Sequence, residues 1–122
     1  MGQLPRDRRV TSRREIAGLL TGARVRAGEL ELYWRPAAEP RSRATCITPK
    51  FGHTAVERNR LRRRLKELMR EILLTRPEGR DYLVRARPPA YGLDFRELAA
   101  TLRSLVSRME GMEAGRAATG QP

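Results

Sequence analysis

Cysteine, histidine and long apolar runs are what this sequence has least of. Its 122 residues include one cysteine, Cys46, and one histidine, His53. A lone cysteine closes no internal disulfide, which fits a reducing compartment, the cytoplasm. One Cys and one His also leave no Cys/His cluster for zinc. No apolar run approaches the roughly 18 residues of a membrane-spanning helix. The opening MGQLPRDRRVTSRR lacks the apolar core of a secretion signal. Acids are scarce too: 14 Asp and Glu against 26 Lys and Arg leave a net charge of +12. With 39% hydrophobic residues, the chain has enough for one modest core.

The excess charge is concentrated. Between Arg58 and Arg70 stand Arg58, Arg60, Arg62, Arg63, Arg64, Lys66 and Arg70, against the single acid Glu67. Thr54 and Glu57 have the Thr-x-x-Glu spacing of a capping box, which satisfies two orphan amides at a helix start. Behind it Leu61, Leu65, Leu68 and Ile72 recur at four, three and four, one apolar stripe on a helix running to Leu74. Asn59, Arg63, Lys66 and Arg70 fall on the opposite side. Solvated helix faces usually carry both signs; here Arg63 and Glu67 are one pair at the right spacing, and Glu67 with Glu71 could serve other neighbours, yet seven cations face one acid. Arginine far outnumbers lysine, and guanidinium groups fork onto phosphate and stack on bases. The stretch therefore reads as one face to be buried and one to hold nucleic acid.

Around this helix the chain divides readily. Residues 1–11 read as a loose basic arm. Ser12 and Glu15 suggest a second capping box, for a short helix that Gly22 ends, with Ile16, Leu19 and Leu20 as its apolar face. A short strand over 23–27 precedes an alternating one over 28–35, with Leu30, Leu32 and Trp34 inward and Tyr33 outward. A strand over 43–48 follows, expected to pair with it as an antiparallel hairpin. Tyr82 to Arg87 is another strand, stopped by Pro88-Pro89. Asp94 and Glu97 cap a last helix, with Phe95, Leu98, Leu102, Leu105 and Met109 as its buried face. From Gly111 the chain loses periodicity and reads as a disordered tail over 111–122. The order α-β-β-β-α-β-α is an α+β sandwich in one domain, residues 1–110. A crossover through the basic helix would by general rule be right-handed.

The segment TPKFGHTAVERNRLRRRLKELMR resembles the signature of the bacterial ribonuclease P protein component, and the likeness extends over about residues 8–109. It implies an α-β sandwich with a four-stranded sheet and a left-handed crossover, against the general rule. It also implies binding to the catalytic RNA of ribonuclease P and to the five-prime leader of precursor tRNA. The RNA, with magnesium, would carry the cleavage, and the protein alone would bind no cofactor. Carried over by position, the RNA-binding set is Arg58, Asn59, Arg60, Arg62, Arg63 and Lys66, with Arg70 on the same helix. The leader groove would take Tyr33, Cys46, Thr48, Lys50, Phe51, Ile16 and Leu20, and alternation is expected to put Cys46, Thr48 and Lys50 on one face with Tyr33. Pro49 stands where the family usually has a lysine. One extra residue separates Gly52 from Ala55. Ile16 and Leu20 replace phenylalanines, leaving Tyr33 as the main stacking platform, with Phe51 either compensating or packing against the helix start. A one-to-one complex of monomeric protein with RNA is implied.

Two other classes are weighed against this. A ribosomal or DNA-binding module could use the basic helix in a groove, but a helix-turn-helix needs a second helix just before Thr54, where a strand and Pro49 stand. A protein nuclease lacks its constellation. Cys46 and His53 have no third group to orient them, and Glu67 and Glu71 sit among cations with no third acid.

Overall fold

The computed structural model describes residues 5–50 and 52–119. Three helices and four strands follow one another: α1 (Arg13–Leu20), β1 (Ala23–Arg26), β2 (Leu30–Pro36), β3 (Arg43–Ile47), α2 (Ala55–Leu68), β4 (Arg80–Ala86) and α3 (Phe95–Thr119). The sheet order is β1-β2-β4-β3. The hairpin is therefore β1–β2, not β2–β3: β4 enters between β2 and β3, antiparallel to the first and parallel to the second. Local alternation marks strands but not their neighbours. A buried β4 offers both of its edges, and α2 supplies the long crossover that a parallel pair requires.

The sheet separates two cores. On one face Leu30, Leu32, Trp34, Tyr82 and Val84 pack against Leu61, Leu65 and Leu68 of α2 and Leu98, Leu102 and Leu105 of α3. On the other, Tyr33 and Leu83 pack under α1 with Leu19 and Val10. The stripe expected on α2 is the buried one. After Leu68 the helix widens into a π turn, Met69–Leu73, closed by the Leu74 N–H on the Met69 carbonyl at 3.0 Å, and Met69, Ile72 and Leu73 all face inward.

Caps decide where the helices begin. The Thr54–Glu57 box is complete in both directions, at 2.9 and 3.1 Å. Asp94 and Glu97 close another, at 3.0 and 2.7 Å. At α1 only half forms: Ser12 Oγ accepts from the Glu15 N–H at 3.3 Å, while the Glu15 carboxylate goes to Arg43 and Arg35 instead. Two ion pairs outweigh one exposed amide.

Where they are described, both ends differ from the expected loose arm and tail, and residues 1–4 and 120–122 lie outside the described residues. Arg8 donates to the carbonyls of Ser42 and Leu74 at 2.6 and 3.1 Å, Arg9 bridges to Ala44, and Val10 is buried. Nor does α3 stop at Gly111. Glu113 accepts from the Trp34 indole at 3.1 Å and from Arg80 at 2.6 Å. Those tertiary bonds hold a helical turn that apolar periodicity alone does not signal.

Candidate nucleic-acid interface

Gly52, with φ of +81°, turns the chain out of β3 and into the cap of α2, a conformation that favours glycine. The turn is pinned from both sides. Tyr91 donates its hydroxyl to the Pro49 carbonyl at 2.6 Å and stacks on His53, ring centroids 3.6 Å apart. Arg58 donates to the His53 carbonyl at 2.8 Å and reaches the Lys50 carbonyl at 3.4 Å. Of the expected RNA-binding set, Arg58 is thus partly committed to its own loop. His53 belongs to a structural stack.

The cations of α2 spread around its outward half. Asn59 and Arg63 form the crest and are exposed. Arg62 leans toward β3, donating to Asn59 Oδ1 at 3.3 Å and to the buried Thr48 hydroxyl at 3.4 Å. Lys66 lines the same flank. Arg60 and Arg64 line the other flank, beside Tyr91 and Leu93. Arg70, at the π turn, lies 3.8 Å from Glu71. Among the described residues no acid pairs with Arg60, Arg63, Arg64 or Lys66, and the spacing of Arg63 and Glu67 yields no ion pair. Like charges on adjacent turns without counter-ions cost a helix stability. The field they make is one that phosphates neutralise.

The expected leader groove does not assemble as one face. Strand register sets Tyr33 opposite Leu83 and Leu83 beside Thr45, so these share the α1 side. Cys46 aligns with Val84 and packs toward the α2 side, where Arg62 also finds Thr48. Tyr33 and Cys46 are therefore on opposite faces of the sheet. Tyr33 is 1% exposed beneath α1, its hydroxyl donating to Glu31 at 2.8 Å, and offers no stacking surface. Alternation within a strand gives its two sides; register with another strand is needed to match them, and β4 lies between β2 and β3. Ile16 and Leu20 are half-buried rims of that small core, joined by Ile47. Lys50 is exposed, and Phe51 lies outside the described residues.

Sequence reading missed Arg85 and Arg87, which flank the buried Glu31 at 3.9 and 3.1 Å on the α1 side of the sheet. Their alternation with Leu83 was the available signal. It also missed Arg9, across the β3 edge from Lys66.

A protein-centred cleavage reaction finds no apparatus in the residues considered for it. Burial pushes the Cys46 thiol up to about 11, even with Lys66 and Arg62 nearby, so it is a poor thiolate at neutral pH. Among the described residues no three His, Cys, Asp or Glu side chains gather as metal ligands. Among the described residues no helix is long and apolar enough to cross a membrane.

An acid-poor basic helix laid across an α+β sandwich defines a polyanion-binding protein. The family model for Ribonuclease P matches residues 4–110, and the chain belongs to that family. It is 37% identical over 102 residues to the ribonuclease P protein component of Kocuria rhizophila, covering 84% of this chain and 90% of that one. With the Streptomyces avermitilis component it shares 30% over 118 residues, covering 88% and 96%. The fold matches the Staphylococcus aureus RNase P protein with a TM-score of 0.75 at 18% identity, covering 84% and 94%. It matches that of Thermotoga maritima at 0.71 and 23%, covering 82% and 96%. Membership makes the chain a protein subunit of the endoribonuclease ribonuclease P, partnered with the ribonuclease P RNA.

Proposed function

We propose that α2 seats this subunit on the ribonuclease P RNA and that the assembled enzyme removes the five-prime leader of precursor tRNA in the cytoplasm. One protein monomer serves one RNA. The carrying observation is the set of uncompensated cations Arg60, Arg63, Arg64 and Lys66, with Asn59 and Arg62 beside them and Arg70 at the helix end. The RNA supplies the cleavage chemistry with its own magnesium. The protein's share is electrostatic: its charge offsets the repulsion between two RNAs.

The leader is assigned to the α1 side of the sheet, where half-buried Ile16, Leu20 and Ile47 adjoin the exposed Arg85 and Arg87. Apolar rims with forked cations beside them suit a single strand, contacted through bases and phosphates in turn. Lys50, exposed three residues beyond the end of β3, adds a further phosphate contact. A groove-reading DNA module has less support, because β3 and a glycine turn precede α2 where its partner helix would be.

The test is reconstitution. Protein freed of RNA should cleave no precursor tRNA at any magnesium concentration. Added to the ribonuclease P RNA, it should stimulate leader removal most at low magnesium. Magnesium-dependent cleavage by rigorously RNA-free protein overturns the reading.

A further inference from the structure

Between the outer edge of β3 and α2 lies a cleft of about 270 Å³. Arg62 and Lys66, one helical turn apart, form one wall, and Arg9 with Val10 and Thr11 forms the other. Its floor is Ala44, Cys46 and Met69, small or apolar side chains. β3 is an edge strand, and its Ala44 carbonyl accepts outward from the Val10 N–H at 3.1 Å. Alternation gives Cys46 the same outward backbone direction, two residues further on. The peptide N–H and C=O of Cys46 thus border the cleft beyond the end of the bridging segment.

We propose that this cleft receives one unstacked nucleotide of an RNA strand, its phosphate on Arg62 and Lys66 and its base over Cys46, the one floor side chain that keeps exposed surface. The proposal rests on the RNA-binding reading of α2 and adds to it a position and a strand state. Cations alone would suit any phosphate, duplex or single-stranded. The apolar floor does not: it adds value only if a base leaves its stack to cover it. The volume lies just below that of most small-molecule sites, fitting a single nucleotide unit rather than a paired duplex. Arg62 is already oriented by Asn59 and Thr48, so little side-chain freedom is lost when phosphate arrives. The adjacent backbone donor and acceptor of Cys46 can meet a base edge, which gives the site a means of preferring one base over another.

The chain's single cysteine makes the floor addressable. Cys46 is alkylated with a maleimide, followed by mass spectrometry, in four samples: protein alone, with ribonuclease P RNA, and with that RNA plus either leader-bearing precursor or mature tRNA. An occupied cleft should slow labelling about tenfold, as a floor covered about nine-tenths of the time would. Protection by the ribonuclease P RNA alone assigns the nucleotide to that RNA; protection only with precursor assigns it to the leader. Equal labelling in all four samples, with complexes verified by gel shift, overturns the proposal. Cys46→Leu provides a second measurement, filling the floor without changing charge. It should lower RNA affinity about tenfold, and native affinity in a folded variant also overturns the proposal. Loss of affinity in Arg63→Ala reports separately on the crest of α2: native affinity there sinks the reading of the helix, whereas Cys46 results alone decide the cleft.

Discussion

Two groups of arginines do opposite work in this molecule. On the α1 side of the sheet, Arg35 and Arg43 converge on Asp81, which is 2% exposed, at 3.3 and 3.0 Å, and both also reach Glu15. Asp81 and Glu15 together raise the Arg43 pKa. Arg80 likewise holds Glu113, while Arg85 and Arg87 stand between the two groups, each near Glu31 yet about half exposed. On α2, Arg63 and Arg64 have no acid within ion-pair distance among the described residues, and Arg60 has only the longer-range attraction of the exposed Glu57. The side chain is identical in both groups. What differs is whether the fold brings a carboxylate to it, and so whether its charge is spent on the fold or left for a ligand. Composition counts both groups alike, so a net charge of +12 overstates the specificity of the signal and understates how localised the available charge is.

The sharpest way to break this comparison is to remove the acid of the first group. Asp81→Ala leaves Arg35 and Arg43 facing each other without their buried counter-ion, and should cost about 3 kcal/mol of stability in denaturant unfolding. The arginines are themselves about a third exposed, which keeps the cost at the lower end of the range for broken buried pairs. A variant as stable as the parent would place these arginines with the solvated ones.

A smaller effect should appear with pH. Burial raises the Glu31 pKa, but the hydrogen bonds from Tyr33 and Arg87 and the charge of Arg85 outweigh it and hold the group below its ordinary 4.5. A carboxylate held low contributes stability that is complete above its ordinary value and is lost as pH falls through the folded value. Thermal melts from neutral pH down to about pH 3 should therefore fall more steeply for the parent than for Glu31→Gln. Parallel curves would show that Glu31 contributes no proton linkage.

The smallest effect on stability, and the most informative about function, belongs to α2. Arg63→Ala should change unfolding free energy by no more than about 0.5 kcal/mol, as an exposed residue with no partner. It should nevertheless reduce the salt slope of RNA binding by about one phosphate contact. A destabilised Arg63→Ala with an unchanged slope would reverse the two groups.

Much of the site was legible before any fold was known. Helix periodicity is local, so the burial of Leu61, Leu65 and Leu68 and the outward turn of Asn59 and Arg63 follow from spacing alone. The Thr54–Glu57 box is local as well, and it forms completely. Ser12 and Glu15 show where such reasoning stops: the motif is present, but Arg43, 28 residues away, takes the Glu15 carboxylate. Tyr33 shows it again. Alternation placed it on the face opposite Leu32 and Trp34, but that face is not open: α1 covers it and Tyr33 is buried there.

By itself, then, the sequence determined what depends on neighbours along the chain: helix faces, two complete caps, the strands, a basic helix without compensating acids, and a signature that places it in its family. Only the tertiary structure decided what depends on residues distant in sequence meeting in space. It put β4 between β2 and β3, put Tyr33 and Cys46 on opposite faces, and tied Trp34 and Arg80 to Glu113. It also sorted the arginines into paired and unpaired. The physical reason is range. Side-chain direction in a helix or strand is dictated by backbone geometry within a few residues, whereas an ion pair, a strand neighbour or a covering helix is settled by which packing of the whole chain buries the most apolar surface with its polar groups satisfied.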